Sequence, residues 1–359
     1  MSVSTLSAHY PRPAVAPVVP EPGGLSSNDG LDAVEALLTR LAVGHRFARS
    51  GMMVQEHLAT GGKRVRARLA LASAEALGVA RELAVPWAAA CEMLHNATLV
   101  HDDIQDGDRM RRDAPTTWVR HGVSQAINAG DLMLMLPFLA LEGLNTSGDV
   151  RWLLSRALAR AAESTVRGQS WEMDLLGGER TSWEDWLRAA DGKTGALIGL
   201  PVEGAALLAG LDARTAARFA AEFQPLGVLF QLQDDLVDLS DAKGRRRRGS
   251  DLYEGKVSAL VVEHLALHPG ERAWLLELLA TPRDATSPEQ VEFAMQRFFE
   301  GGAVAAVRAR VAAYASAVRV SPLLSAVPDL HAIALELVSA MDRSIREATA
   351  SASTRSKLV

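Results

Sequence analysis

The 359-residue chain has one cysteine, Cys91, which excludes an intramolecular disulfide and any zinc site built from cysteines. Aromatic residues make up only 5%, too few for a typical β-sandwich core. Positive charge is not in excess: 38 Lys and Arg face 43 Asp and Glu, a formal net charge of −5. A protein whose main partner is nucleic acid needs a positive field that this balance does not supply. Long apolar runs are missing too. The stretch from Leu132 to Leu141 lies between Asp131 and Glu142 and contains Pro137, about half of the roughly 20 residues that a bilayer span requires. The N-terminal residues carry neither the basic nor the continuous apolar region of a signal peptide. The expected compartment is therefore the cytoplasm, with no membrane anchor.

What the chain does have is apolar bulk, 48% hydrophobic against 23% charged residues, in a pattern that is helical almost throughout. Leu31, Val34, Leu37, Leu38 and Leu41 recur at i, i+3, i+4 spacing in segment 31–48. Segments 64–78, 83–101, 125–144, 150–168, 183–190, 194–209, 213–240 and 256–268 also read as helices. Breaks fall at Gly61-Gly62, Gly78, Gly107, Gly177-Gly178 and Gly244, and no strand period is sustained. Helices 83–101 and 213–240 are apolar on most faces, so they should be central. The expected fold class is all-α, one large helical bundle over residues 31–350. Residues 1–30 hold Pro11, Pro13, Pro17, Pro20 and Pro22 and are expected to form a disordered arm, available to dock a partner protein. Residues 351–359 are expected to be a disordered tail.

Two aspartate clusters stand out. His101-Asp102-Asp103-Ile104-Gln105-Asp106 and Gln231-Leu232-Gln233-Asp234-Asp235-Leu236-Val237-Asp238 each close an apolar helix. The first and last aspartates of each D-D-x-x-D group are four apart, so their carboxylates share one helix face. Like charges there cost a few tenths of a kcal/mol, and the C-terminal end of the helix dipole is unfavourable for anions. Accepting this cost twice points to cation binding. Carboxylate oxygens without a His/Cys set suit Mg²⁺, completed by phosphate oxygens of a substrate.

Basic residues are interleaved with these acids. Gly61-Gly62-Lys63-Arg64-Val65-Arg66 opens a helix, where free N–H groups and the dipole favour anions. Arg109, Arg111 and Arg112 follow the first aspartates, Lys193-Thr194-Gly195 is read as opening another helix, and Arg245–Arg248 with Lys256 follow the second aspartates. The pattern fits a diphosphate gripped between Mg²⁺ and Arg/Lys.

With these residues in order, the chain resembles the trans-isoprenyl diphosphate synthases of the polyprenyl synthetase family. The resemblance rests on G-G-K-R-x-R (61–66), H-N-A-T-L-V-H-D-D-I-Q-D (95–106), R-R-x-x-P-T (111–116) and A-G-D (129–131). It continues through G-Q (168–169), K-T-G (193–195), F-Q-L-Q-D-D-L-V-D (230–238) and G-S-D-L-Y-E-G-K (249–256). It implies a Mg²⁺-dependent prenyltransferase of the isoprenoid synthase fold with a central prenyl-binding cavity. The reaction would be head-to-tail condensation of isopentenyl diphosphate with an allylic diphosphate.

The resemblance also implies roles. Lys63, Arg66, His95 and Arg112 would hold isopentenyl diphosphate. About three Mg²⁺ ions would be held by Asp102, Asp103 and Asp106 and by Asp234, Asp235 and Asp238, with Asp102, Asp106 and Asp234 as direct ligands. Arg111, Lys193, Gln231 and Lys256 would contact the allylic diphosphate, with Thr194 beside the reacting carbon. The catalytic set is then Asp102, Asp106, Lys193, Thr194 and Asp234. Three positions depart from the family pattern: Ala67 where proline is usual, Arg246 or Arg247 where lysine is usual, and Ser258-Ala259-Leu260 for T-L-P. None removes an expected Mg²⁺ ligand.

The family resemblance places the floor of the chain-length pocket at Ala97, Thr98 and Leu94, with Cys91, Met133, Leu136 and Phe138 deeper. The small residues at 97 and 98 favour geranylgeranyl diphosphate as product, against a farnesyl or longer polyprenyl alternative. Rival readings are a class I terpene cyclase and a non-catalytic partner subunit. The second D-D-x-x-D and the Lys63/Arg66/His95 set oppose the first, and the intact aspartates oppose the second. The family also implies a homodimer, with Trp152 and Trp171 expected in the core or an interface.

Overall fold

The computed structural model describes residues 25, 28, 30–44, 49–177, 181–240 and 248–355. In chain order, α1 (Leu31–Val43), α2 (Arg49–Ala59) and α3 (Val65–Ala76) lead to the long α4 (Arg81–Gln105). A small hairpin, β1 (Met110–Arg111) and β2 (Ala114–Pro115), precedes α5 (Thr117–His121), α6 (Val123–Ala140) and α7 (Gly148–Gly177). Next come α8 (Trp183–Ala190), a π-helical turn (Asp191–Gly195), α9 (Ala196–Leu208) and α10 (Ala213–Val237). The remaining helices are α11 (Ser250–Tyr253), α12 (Ala259–Leu267), α13 (Arg272–Ala280), α14 (Pro288–Glu300), α15 (Ala303–Arg319), α16 (Pro322–Ser325) and α17 (Pro328–Arg355). The fold is all-α apart from the hairpin.

As expected, α4 and α10 are central. α4 packs against α3, α6 and α9, and α10 against α9, α15 and α17. Trp87, Met93, Leu94 and Val100 on α4 and Phe219, Phe223, Leu229 and Leu232 on α10 are all buried. Burying each such side chain contributes about 1.5–3 kcal/mol, which outweighs the interior prolines Pro86, Pro201 and Pro225 in α4, α9 and α10. α10 starts at Asp212, whose carboxylate accepts from the Arg214 and Thr215 N–H groups. Both central helices end at the aspartate clusters, so their carboxylates emerge at the C-terminal ends of a rigid core.

Three expectations need correction. Residues 193–195 do not open a helix: α8 and α9 join through the π turn, so Lys193 and Thr194 sit within continuous winding. The turn is wide because glycines let neighbours approach it. A Cβ on Gly168 would strike the Lys193 backbone nitrogen, and one on Gly227 would stand 2.6 Å from the Gly195 nitrogen. α17 runs through Arg355, so helix extends into the 351–359 segment expected as a tail. The N-terminal arm is held before residue 30: the Leu25 N–H donates to Glu336 Oε2 (3.0 Å), and Arg68 Nη2 donates to Asn28 Oδ1 (2.8 Å). Residues 1–24, the Arg245–Arg247 run and residues 356–359 lie outside the described residues.

α6 is the one described helix that is long and apolar enough to cross a membrane, by length and composition only. It packs along α4 through Ala126, Met133 and Leu136. Its other side leaves Val123, Ile127, Met135 and Leu139 exposed in one row, with Asp131 in the middle, and α7 adds Trp152, 66% exposed, and Val166. Trp152 is therefore not a core residue. Trp171 is also exposed, with the Arg188 guanidinium 4.4 Å above its ring.

Candidate active site

An acidic cleft forms where α4, α7, the π turn, α10 and the segment after α11 meet. Its centre is an ion pair of which only the lysine belongs to a motif: Lys193 Nζ lies 2.6 Å from Glu172 Oε2 of α7. Burial works against charge on Glu172, yet Lys193 and Lys256 hold its carboxyl below the ordinary value. Burial likewise opposes the charge on Lys193, but Glu172 and Asp102 hold its ammonium above the ordinary value. Burial opposes the charge on Lys256 too, but Asp251, Glu172 and Asp106 hold its ammonium well above the ordinary value. Glu172 also feels the charge of Asp234, so it links the two aspartate clusters electrostatically.

Asp102 and Asp106 both face this cleft. Burial is the main cause lifting their carboxyls above the ordinary value; neighbouring carboxylates add to it, while Lys193 and Lys256 oppose it. Asp103, on another face of α4, is turned away and takes the Arg111 Nε–H at 2.6 Å. In the second cluster, Asp235 is buried and accepts from the Ala259 N–H (2.7 Å) and Gln231 Nε2 (3.0 Å). Burial beside the Asp251 carboxylate pushes it up to about 8. Asp238 is also buried and accepts from Ser250 Oγ and the Asp251 N–H, fastening the chain that returns after α10. Gln231 thus points at Asp235, and Gln169 Nε2 donates to Gln105 Oε1 (2.9 Å) at the end of α4. Thr194 is buried one residue from Lys193.

The donor set is oxygen only, half-buried, and more crowded with carboxylates than two lysines neutralise, which fits Mg²⁺. Among the described residues, no three His, Cys, Asp or Glu side chains converge into a ready-made metal site.

A second, cationic pocket lies beyond Arg111. The hairpin turns through Arg112 and Asp113, both at positive φ (51° and 62°), as a two-residue loop between twisted strands requires. This turn sends Arg111 to Asp103 and folds Arg112 back, so that its Nη1 donates to the Gly61 carbonyl. Gly62 has φ +132°, and a Cβ there would lie 2.5 Å from Arg112 Cζ; only glycine lets the guanidinium lie so close. Arg66, in the first turn of α3, is buried under Phe230 with its Nε unpartnered. Arg64 is structural: its side chain is buried and bonded to Glu35 and the Leu58 carbonyl. Glu92 offsets part of this charge, accepting the Ala67 N–H at 3.1 Å and lying 3.8 Å from Arg64 Nη1. His95 is held well below its ordinary value by burial and by Arg66, Arg111 and Arg112, so it is neutral, and its Nδ1 has no partner. Lys63 stands exposed at the rim. The pocket therefore presents donors with too few acceptors, the requirement for a multiply charged anion.

Ala97 and Leu94 are buried on α4, and Thr98 bonds its own helix through the His95 carbonyl (2.7 Å). Cys91, Met133 and Leu136 continue the same apolar interior between α4 and α6. Sequence reasoning missed Glu172 and Glu92. Of these only Glu172 has a positional signal, four residues after Gly168 on the same helix face.

Comparison with known proteins identifies the family. Residues 50–298 match the sequence model of the Polyprenyl synthetase family. A geranylgeranyl pyrophosphate synthase of Geoglobus acetivorans is 34% identical over 262 residues, 72% of this chain and 80% of that protein. A geranylgeranyl diphosphate synthase of Mycobacterium tuberculosis is 35% identical over 280 residues, 76% and 79% of the two chains. The crystal structure of a polyprenyl synthetase from Streptomyces coelicolor superposes with TM-score 0.72 at 30% identity, covering 86% of this chain and 98% of that one. With an acidic cleft and a cationic pocket set side by side at the ends of its central helices, this chain belongs to the polyprenyl synthetase family.

Proposed function

We propose that the protein is a Mg²⁺-dependent trans-prenyltransferase that condenses isopentenyl diphosphate with an allylic diphosphate, making geranylgeranyl diphosphate. The observation that carries this reading is the pairing of two anion sites of different character. One is rich in carboxylates and lysines, Asp102, Asp106, Glu172, Lys193, Asp234 and Lys256. The other is a metal-independent cluster of Arg66, His95, Arg111 and Arg112. A terpene cyclase has no need of the second.

Lys193 and Lys256 would grip the allylic diphosphate and stabilise charge on its departing oxygen as the carbon–oxygen bond breaks. Asp102, Asp106 and Asp234 would hold Mg²⁺, which when bound neutralises charge on the leaving diphosphate. Glu172 would keep both lysines protonated and oriented. Arg66, His95, Arg112 and Lys63 would hold isopentenyl diphosphate so that its double bond attacks the allylic carbon; the new carbon–carbon bond forms and the released diphosphate takes the proton lost. Arg111 is bonded to Asp103, so a role at the allylic diphosphate would require it to leave that carboxylate. Asp103, Asp235, Asp238 and Gln231, expected at the metal and diphosphate, read instead as supports that set the shape of the site. Thr194 would border the reacting carbon, and the apolar interior around it would shield the cation from water.

Ala97 and Thr98 leave the α4 wall without a bulky stop, which favours a product longer than farnesyl diphosphate. The exposed apolar rows on α6 and α7 support a homodimer. We also place the protein in the cytoplasm, with the proline-rich segment ahead of Leu25 as a docking element for a partner protein. The test is incubation of the purified chain with Mg²⁺, isopentenyl diphosphate and farnesyl diphosphate, with chain length read by mass spectrometry. Twenty-carbon diphosphate supports the reading. A hydrocarbon from the allylic substrate alone would make it a cyclase, and no turnover a non-catalytic subunit.

A further inference from the structure

Ala67 stands where the family pattern usually has proline, and it supplies a backbone N–H that proline lacks. That N–H, in the first turn of α3, donates to Oε2 of Glu92 on α4 (3.1 Å). Arg64 occupies the N-cap position of α3 in a left-handed conformation (φ 49°) and makes no side-chain cap bond. The first N–H groups of a helix need acceptors from outside it, so Glu92 caps α3 from a neighbouring helix. Its other oxygen, Oε1, accepts from Asn96 Nδ2 (3.2 Å) and lies 3.8 Å from Arg64 Nη1. Both Glu92 and Ala67 are buried.

The bond joins two walls of the cationic pocket. Arg66 immediately precedes Ala67, and His95 lies three residues after Glu92, on the same side of α4. The Arg66 guanidinium sits 5.7 Å over the Phe230 ring with its Nε unpartnered, and His95 Nδ1 is unpartnered too. The backbone beneath Arg66 therefore sets where its guanidinium points. A carboxylate in this wall repels a diphosphate, so whatever it adds to binding comes through geometry.

We propose that Glu92 is a positioning residue of the cationic pocket. By holding the Ala67 N–H it fixes the start of α3 against α4 and aims Arg66, beside His95, at the diphosphate of the five-carbon co-substrate. The proposal rests on reading that pocket as the isopentenyl diphosphate site. It also gives the departure at residue 67 a purpose, since proline there would leave Glu92 Oε2 without this donor.

The test is a double-mutant cycle on two substitutions that break the same bond without changing charge. Glu92→Asp keeps the carboxylate but draws it back by one methylene. Ala67→Pro removes the N–H at a first-turn position, where no intrahelical bond depends on it. Affinity for isopentenyl diphosphate is measured by titration calorimetry without Mg²⁺, with KM for each substrate, kcat and Tm beside it. Each single variant should weaken isopentenyl diphosphate by about 10-fold, and the double variant by no more than either alone. The loss should fall on KM for isopentenyl diphosphate and not on KM for the allylic substrate. Wild-type affinity in either folded variant would overturn the proposal, and if one variant fails to fold the other decides. Losses that add in the double variant would overturn it too, since independent effects do not share one bond. So would a fall in Tm with both KM values unchanged, which marks a clamp on the fold alone. A wild-type chain that does not bind isopentenyl diphosphate would overturn the reading of the pocket itself, a result distinct from all of these.

Discussion

Lys193 Nζ and Glu172 Oε2, 2.6 Å apart, hold the middle ground between the two aspartate clusters. Glu172→Gln removes the charge that keeps Lys193 and Lys256 in place while preserving shape. A charge-assisted hydrogen bond is lost, so kcat/KM for the allylic substrate should fall by about 10- to 100-fold, about 1.5–3 kcal/mol. Steady-state kinetics with each substrate varied in turn checks this, and KM for isopentenyl diphosphate should hardly move.

Asp102 and Asp106 carry raised carboxyls because burial and their neighbours disfavour their charge, a cost that a cation relieves. Asp102→Asn or Asp106→Asn should lower kcat by about 10²- to 10³-fold. A shift to higher Mg²⁺ in the activation curve should accompany the loss. Chelation should abolish turnover of the wild-type protein, and added Mg²⁺ should restore it.

Asp235 predicts a pH dependence of stability with the opposite sign to an ordinary salt-bridged carboxylate. Its native pKa is raised from 3.8 to about 8, so between those values the folded state binds the extra proton. Metal-free protein should therefore gain stability as pH falls through that range and lose it as pH rises toward the native value. Asp235→Asn should flatten the slope. Its amide can still accept from the Ala259 N–H while the Gln231 amide turns over to meet it. Urea melts in EDTA at several pH values provide the check.

Gly168→Ala places a methyl against the backbone of Gly192 and Lys193. Overpacking of this kind costs about 1–3 kcal/mol, visible as a lower Tm. Activity should fall by more than stability does, because the displaced backbone carries Lys193 and Thr194. Equal kcat at a temperature where both proteins are folded would count against the role given to the π turn.

Ala97 is wholly buried on α4. Ala97→Phe should shorten the main product, read by chromatography of the dephosphorylated alcohols. An unchanged product would remove Ala97 from the pocket floor.

The positions of the two acid clusters were legible in the sequence because two simple rules coincide there. Long runs apolar on most faces mark α4 and α10 as central, and a four-residue spacing sets Asp102 with Asp106 and Asp234 with Asp238 on one side. The basic partners were legible as local runs, and their association only by resemblance to a family. Long-range pairing was not. Nothing local to Arg111 says that it meets Asp103, and nothing in Asp235 or Asp238 says that backbone N–H groups claim them. Glu172 is a single polar residue inside an amphipathic helix, where spacing alone cannot separate a solvated side chain from a buried one. The π turn is not legible for a related reason: residues 191–193 read locally as a gap between helices 183–190 and 194–209, and the packing that keeps the winding continuous comes from α7 and α10. Beyond residue 268 the apolar pattern does not single out helices, yet α13 to α17 follow there.

The π turn has one more consequence. A residue inserted into α winding turns everything beyond it by about 100° unless the extra residue is absorbed locally. Absorbing it here lets α8 and α9 keep the phase that each needs for its own buried side, while the five-residue bulge faces the cleft. The chain thus separates two demands that ordinary helical winding would tie together. Residues of α9 can change to suit the core without rotating Lys193, and Lys193 can be aimed without unpacking α9. A deletion of one residue in 191–195 would reconnect them, and either the core or the ammonium would have to lose its place.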